Sequence, residues 1–205
     1  MVKIREWRKE IWEHKYLLLL SLSFLIIAIL LDWAAGVYVM KTPGAVAPDL
    51  FLDYLPVMDL DFIFIYGPII IVGLLFLYPL FFKVKELHKV IGQFSLLVMV
   101  RSAFTTLTHL EVPKDALQFT IPHFLGFLSF RNDLFFSGHT AVPFLGFLLF
   151  KESKIKWFFL AASILMALTV LLMHVHYTID VLSAFFITYG TFKIGEWFYK
   201  KINNY

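Results

Sequence analysis

The chain has 205 residues, of which 60% are hydrophobic and 16% charged, and its mean hydropathy is +0.79. A soluble domain carries roughly 25% charged residues, and a soluble fold of this size could not bury so much apolar surface. Since the sequence has no cysteine, disulfides, thiolate metal sites and cysteine nucleophiles are excluded. The net charge of +3 is spread between apolar runs, which disfavours a nucleic-acid-binding protein. The composition predicts one membrane domain, residues 1–205.

Six apolar runs are candidate membrane-spanning helices, because a span needs about 20 mostly apolar residues. They cover residues 16–39, 62–82, 90–110, 134–150, 157–175 and 177–199. The fourth run is short, and residues 1–15 form a charged N-terminal segment. The predicted fold is an all-α polytopic membrane protein, a six-helix transmembrane bundle.

Lysine and arginine cluster before the first run, between runs two and three, between runs four and five, and at the C-terminus. The opposite connections are rich in aspartate and glutamate. The positive-inside rule therefore predicts that both termini, including residues 1–15, are cytoplasmic. Two connections on the other side are longer than turns. We expect residues 42–61 to form a loop, with or without a short interfacial helix, and residues 118–130 to lie in the interface or dip into the outer leaflet.

The segment NDLFFSGHT, residues 132–140, begins the fourth run on the outward side and places Asp133 just before it. Ser137 is a good helix N-cap, and Gly138 lets a ligand approach the backbone closely. The free amides of a helix start suit a phosphate. His139 in the first turn could give or take a proton. An ordinary capped helix with an interfacial histidine explains this segment equally well.

The segment HVHYTIDV, residues 174–181, joins the fifth and sixth runs on the same side. His176 and Asp180 are four residues apart, which places them one turn apart on one helix face. A carboxylate next to an imidazole fixes its tautomer and leaves the other ring nitrogen as a nucleophile or base. The pair alone could be a structural hydrogen bond, but two such segments on one side of the membrane favour a catalytic site.

Arg101 lies in the outer half of the third run and begins a polar stripe with Thr105 and Thr108. Its guanidinium could bind phosphate oxygens bidentately, and an anion site needs a cation. The alternative is an arginine that snorkels or pairs with Asp180 or another acid. We expect phosphate contact. Asp32, near the end of the first run, is expected to sit in the membrane interface.

At these segments the sequence resembles the sphingomyelin synthase family, a branch of the type-2 phosphatidic acid phosphatase superfamily. The family pattern D-x-x-x-S-G-H-T corresponds to residues 133–140, and H-x-H-Y-T-x-D-V to residues 174–181. A looser pattern, R-x6-T-x4-P, fits Arg101, Thr108 and Pro113. The resemblance covers about half of the chain. It implies a lipid phosphotransferase that moves a phospho-headgroup from a phospholipid to a lipid alcohol.

The resemblance also implies a mechanism on the extracytoplasmic face, with membrane lipids as the partners and neither metal nor cofactor. His176, oriented by Asp180, would attack the lipid phosphorus to form a phosphohistidine, and His139 would protonate the leaving alcohol. The expected substrate contacts are Arg101, Asp133, Ser137, Gly138, His174 and Tyr177.

Three departures from the family leave the acceptor open. Phe185 replaces a tyrosine, Arg131 and Asn132 stand where a cysteine is usual, and Val170 replaces the arginine of the superfamily phosphatases. A lipid phosphatase that acts on phosphatidic acid or a polyprenyl diphosphate with water is therefore an alternative. A zinc site built from the histidines and Asp180 is another. A transporter or structural membrane protein is a third, although no repeat or pair of broken helices is apparent.

Overall fold

The computed structural model describes residues 4–118 and 133–203, and all of the regular structure in these two ranges is helical. Two short 3-10 turns, Leu52–Tyr54 and Val84–Glu86, accompany the α-helices. The predicted all-α fold is thus confirmed. The α-helices in chain order are α1 (Ile4–Glu13), α2 (Lys15–Lys41), α3 (Asp61–Phe82), α4 (Leu87–Leu107), α5 (Gly138–Leu149), α6 (Lys156–Leu172) and α7 (Thr178–Asn203).

Each predicted apolar run contains one helix, with ends that differ from the prediction by four residues or fewer. In the described part of the chain, three helices are long and apolar enough to cross a membrane: α2, α3, and α4 with its preceding turn, Val84–Leu107. Helices α5 and α6 are apolar but shorter. The six-span count and the cytoplasmic termini stay predictions. The predicted interfacial segment 118–130 lies outside the described residues apart from its first residue.

The fourth helix begins at Gly138 and not at residue 134 as predicted, because residues 133–137 are not helical. Apolar character alone could not separate this extended approach from the helix that follows it. Ser137 stands at the N-cap position, as expected from its residue type. Residues 133–140, here called the first motif, therefore consist of a non-helical segment and the first turn of α5. Residues 174–181 are called the second motif.

The helices pack so that α5 lies against both α6 and α7, α7 lies against α4, and α2 runs along α4. The centre of this packing is a cluster of buried side chains from α4, α5, α7 and the approach to α5, namely Leu97, Phe136, Ala141, Leu145, Ala184 and Phe192. On α2 many leucine and isoleucine side chains are instead exposed. Such a surface is stable in contact with lipid chains, and in water it would be an aggregation-prone patch.

Residues 42–60, here called the strap, connect α2 to α3 and pack across the connection between α6 and α7. Met58 N–H donates to the carbonyl of Leu172 at 2.8 Å. Near the other end of the strap, Ala45 N–H donates to the carbonyl of His109 at 3.1 Å, and Glu111 N–H donates to that of Ala45 at 3.1 Å. The predicted loop is confirmed, and backbone hydrogen bonds hold it to the last residue of α6 and to the segment that follows α4.

The contact between α5 and α6 depends on the absence of a side chain at Gly146. A Cβ atom built there would lie 2.4 Å from Cδ1 of Phe159, whose ring is fully buried. We predict that Gly146→Ala lowers the free energy of unfolding by about 1–3 kcal/mol, since a packed aromatic ring has no room to move away. Thermal unfolding in one fixed detergent measures this.

The matched control is Gly190→Ala in α7, because nothing lies within 4 Å of a Cβ built at Gly190. Alanine favours the helix interior by up to about 1 kcal/mol over glycine, so this variant should be as stable as the parent or slightly more stable. Equal melting temperatures for the two variants would contradict the packing described for α5 and α6.

Candidate active site

His176 and Asp180 lie where α6 has ended and α7 begins. His176 Nδ1 is 3.3 Å from Asp180 Oδ2, and both side chains are buried. An imidazole that donates from Nδ1 to a carboxylate carries its free lone pair on Nε2. The structure thus brings the two residues together, but His176 precedes Thr178, the first residue of α7, so the pair is not formed on one helix face as the spacing predicted. The contact with Asp180 leaves Nε2 as the free ring nitrogen.

Asp180 also fastens the first motif to the second. Its Oδ2 accepts the N–H of Tyr177 at 2.9 Å, and its backbone carbonyl accepts the N–H of Ser137 at 3.2 Å. The side-chain contact is the return half of a capping box, in which the third residue of a helix bonds the N–H of the residue before it. Asp180 Oδ1 has no hydrogen-bond partner among the described residues. One buried carboxylate therefore orients His176 and caps α7.

His139, in the first turn of α5, lies beside His176, with 6.2 Å between the two ring centroids and 62° between the ring planes. The His139 ring stacks on Phe64 of α3, with centroids 4.3 Å apart, and forms a hydrogen bond with the backbone of Phe64. Four residues after Phe64 comes Pro68, which has no N–H to bond the carbonyl four positions earlier in the helix. A proline inside α3 thus makes a backbone group accessible to the histidine.

The start of α5 presents free amides. Ser137 occupies the N-cap position, but its hydroxyl makes no capping bond and instead accepts from Thr140 Oγ1 at 3.3 Å. The N–H groups of Gly138, His139 and Thr140 donate to no described residue. First-turn amides without partners, at the positive end of a helix dipole, have the chemistry to bind an anion.

Arg101 is largely buried against the segment that leads into α5. Its Nε donates to the carbonyl of Phe136 at 3.0 Å, and its two terminal nitrogens donate to Asp133 Oδ2 at 2.7 Å and to the Asp133 carbonyl at 3.2 Å. Thr105 Oγ1 also donates to Asp133, at 2.9 Å. The carboxylate of Asp133 is thus engaged by protein groups. Arg101 pairs with an acid, as the alternative interpretation allowed, although the acid is not Asp180.

The close approach of Arg101 explains Gly138. A Cβ atom at this position would lie 3.1 Å from Arg101 Nε. The sequence predicted that Gly138 leaves room for a ligand next to the backbone, and in the structure the guanidinium uses that room. A cation is therefore held beside the free amides of α5, where both favour the same anion.

Asp32 is a polar partner that the sequence interpretation missed. Its Oδ1 lies 3.4 Å from a terminal nitrogen of Arg101 and 3.3 Å from Ser102 Oγ, so it belongs to the Arg101 network and not to the interface alone. A signal was present: a lone carboxylate in one apolar run and a lone arginine in another need each other in a membrane.

His174 and Tyr177, predicted as substrate contacts, are both buried and both contact the strap. His174 adopts a left-handed backbone conformation with φ of 55°, and its Nε2 lies 3.2 Å from the carbonyl of Leu55. The hydroxyl of Tyr177 donates to the carbonyl of Glu111 at 2.9 Å and accepts from Ala47 N–H at 3.1 Å. These contacts position the connection that carries His176, and the substrate roles stay predictions.

The zinc alternative has no geometric support in the described ranges, where no three His, Asp or Glu side chains are arranged to hold a metal ion.

The two acids that share Arg101 should differ in importance. Asp133 makes the shorter contact, 2.7 Å against 3.4 Å for Asp32, and its side chain is 13% exposed against 26%. We predict that Asp133→Asn costs about 3 kcal/mol of stability, because breaking a buried pair leaves a charge without its counter-ion. Asp32→Asn should cost clearly less. Melting temperatures of both purified variants check this order, and a larger loss for Asp32→Asn would show that Asp32 is the main counter-ion.

Comparison with known proteins gives one family match. Residues 132–197, about a third of the chain, match the family model described as PAP2 superfamily C-terminal. The matched segment includes His139, His176 and Asp180. No curated protein and no solved structure matches the chain. The match, on a chain with helices long and apolar enough to cross a membrane, indicates a lipid phosphatase or phosphotransferase that carries a PAP2 superfamily C-terminal domain.

Proposed function

We propose that the enzyme is a phosphotransferase, similar to sphingomyelin synthases, that moves a phospho-headgroup from a phospholipid to a lipid alcohol on the extracytoplasmic face. The observation that carries this proposal is the position of two histidines from separate motifs. Their ring centroids lie 6.2 Å apart, beside the uncapped start of α5. At this distance both rings can contact one phosphoryl group.

In the first step, Nε2 of His176 attacks the phosphorus of the donor lipid. The N–P bond forms as the bond from phosphorus to the lipid alcohol oxygen breaks, and His139 gives its proton to that oxygen. Asp180, 3.3 Å from Nδ1, balances the positive charge that develops on the imidazole. The product of this step is a phosphohistidine that carries the headgroup, and the released alcohol is a diacylglycerol or its equivalent.

Negative charge on the phosphoryl oxygens needs stabilisation while the phosphorus is five-coordinate. The amides of Gly138, His139 and Thr140, which have no partner among the described residues, supply donors at the start of α5. The guanidinium of Arg101 lies next to Gly138 and adds a fixed positive charge. Both groups are already in place before the substrate arrives, so little reorganisation is required.

In the second step, His139, now neutral, takes the proton of an acceptor hydroxyl. The acceptor oxygen attacks the phosphorus, the N–P bond breaks, and His176 returns to its starting state. A cleft of about 330 Å³ adjoins the connection that carries His176 and includes Leu50, Leu110, Ile179 and Leu182 among its lining residues. Neither histidine lines this cleft, but its apolar side chains next to Tyr177 and Thr178 are suited to the hydrocarbon chain of a lipid alcohol, which supports such an alcohol as the acceptor. Water as the acceptor would make the enzyme a phosphatase.

Removal of either histidine should stop turnover. His176→Ala removes the nucleophile, so no radioactive phosphoenzyme should form with a phospholipid labelled with 32P in its headgroup. His139→Ala removes the proton donor and should lower kcat by ~10²–10⁴-fold. The control is His88→Ala, because His88 stacks on His14 far from the motifs and should leave kcat unchanged.

The same labelled phospholipid, with and without added ceramide or diacylglycerol, separates the two reactions. A transferase forms a new labelled lipid only when the alcohol is added. If labelled phosphate or phosphorylated headgroup appears in the water phase and no new labelled lipid forms, the enzyme is a phosphatase and the transferase proposal is wrong. Full turnover by His176→Ala would overturn both.

A further inference from the structure

We propose that Asp49, in the strap, is a positioning residue that sets the geometry of the His176–Asp180 pair by bonding the first residue of α7. The kinetic part of this inference rests on the proposed function. Asp49 is 127 residues before His176 in the sequence, and no motif connects the two.

Asp49 bonds Thr178 through two separate groups. Its Oδ2 accepts the N–H of Thr178 at 2.5 Å, and its Oδ1 accepts the hydroxyl of the same residue at 2.9 Å. Thr178 begins α7, so its N–H has no acceptor within the helix. A carboxylate at this position also interacts favourably with the positive end of the helix dipole. Asp49 thus caps α7 from a distant part of the chain.

The carboxylate of Asp49 is itself held in place. Its Oδ1 accepts the N–H groups of Phe51 and Leu52, both at 3.1 Å, at the 3-10 turn of the strap. Burial raises the pKa of Asp49, but the hydrogen bonds from Thr178, Leu52 and Phe51 outweigh burial and lower it. The ionised form is therefore the one that these contacts stabilise. The contribution is complete above the unfolded-state pKa and is lost as the pH falls through the lower folded-state pKa.

The strap bonds residues on both sides of His176, and none of these bonds goes to Asp180. On one side His174 Nε2 contacts the Leu55 carbonyl, and on the other Tyr177 and Thr178 bond Ala47 and Asp49. His176 is left with one side-chain hydrogen bond in the described structure, the 3.3 Å contact with Asp180.

Two carboxylates each accept one backbone N–H at the start of α7. Asp180 takes the N–H of Tyr177 and Asp49 takes the N–H of Thr178. Without Asp49, the Thr178 amide would need a new acceptor, and Asp180 lies in the same helical turn. The contact most exposed to this competition is the one with His176, because at 3.3 Å it is the longest that Asp180 Oδ2 makes. Loss of Asp49 should therefore misalign Nε2.

The kinetic test is Asp49→Asn, in which an amide N–H₂ must face either the Thr178 amide or the strap amides. We expect kcat to fall by roughly 10²-fold with KM little changed, as for a misplacement of about 1 Å at the reacting atom. Thr178→Val should give a smaller fall, because it keeps the backbone bond and the shape of the side chain. Thr178→Ser should have the kcat of the parent enzyme, because serine keeps the hydroxyl that Asp49 accepts. The matched control is Asp53→Asn in the same strap, since the exposed Asp53 side chain bonds no described group and kcat should not change.

Two further measurements separate positioning from general stability and from a failure of the proposed function. Glu196→Gln removes the ion pair with Lys89, which is remote from both motifs, and should lower the melting temperature without lowering kcat. Hydrogen exchange of the Tyr177 and Thr178 amides should accelerate in Asp49→Asn, whether or not any lipid is turned over. If the unmodified enzyme transfers no headgroup but exchange accelerates, the contact stands and the proposed function falls. Unchanged exchange, or an accelerated exchange with full kcat, would overturn the positioning role.

Discussion

The fully buried carboxylate of Asp180 is the interaction on which the site depends. It bonds the imidazole of His176, caps α7 through the amide of Tyr177, and through its backbone carbonyl holds the residue that precedes α5. A buried charge is costly unless its hydrogen bonds are made, so this group tolerates little displacement of the elements around it. That requirement fixes the two histidine segments relative to each other.

Negative charges outnumber positive charges around the Asp180 carboxylate. Arg101 is shared by Asp133 and Asp32, and Asp180 lies near enough to interact with it electrostatically. One guanidinium is thus paired with two carboxylates in the described structure, and Asp180 makes no ion pair with it. Under the proposed function, an incoming phosphate would therefore rely on the first amides of α5 and on His139 in addition to the partly neutralised Arg101. The hydroxyl of Ser137 makes no capping bond, so these amides stay available for the anion that the proposed function requires.

Local patterns in the sequence were sufficient for residues that are close together in the chain. The N-cap position of Ser137 follows from its residue type, and the four-residue spacing indicated that His176 and Asp180 are neighbours, although His176 precedes α7 and the two do not share a helix face. The contacts of Asp32 with Arg101 and of Asp49 with Thr178 span 69 and 129 residues, and no periodicity specifies which distant partner a lone charge will find. The same limit left the partner of Arg101 open. The helices were predictable from the apolar runs. The first residue of α5 was not, because the residues just before it are apolar as well.

A structure of the enzyme with vanadate, which adopts the five-coordinate geometry of phosphoryl transfer, tests the roles of His176 and His139 most directly. We predict vanadium bonded to Nε2 of His176, with its equatorial oxygens at the amides of Gly138, His139 and Thr140 and with the His139 ring next to an apical oxygen. Vanadate bonded to His139, or bound elsewhere with the start of α5 empty, would contradict the assignment of nucleophile and acid.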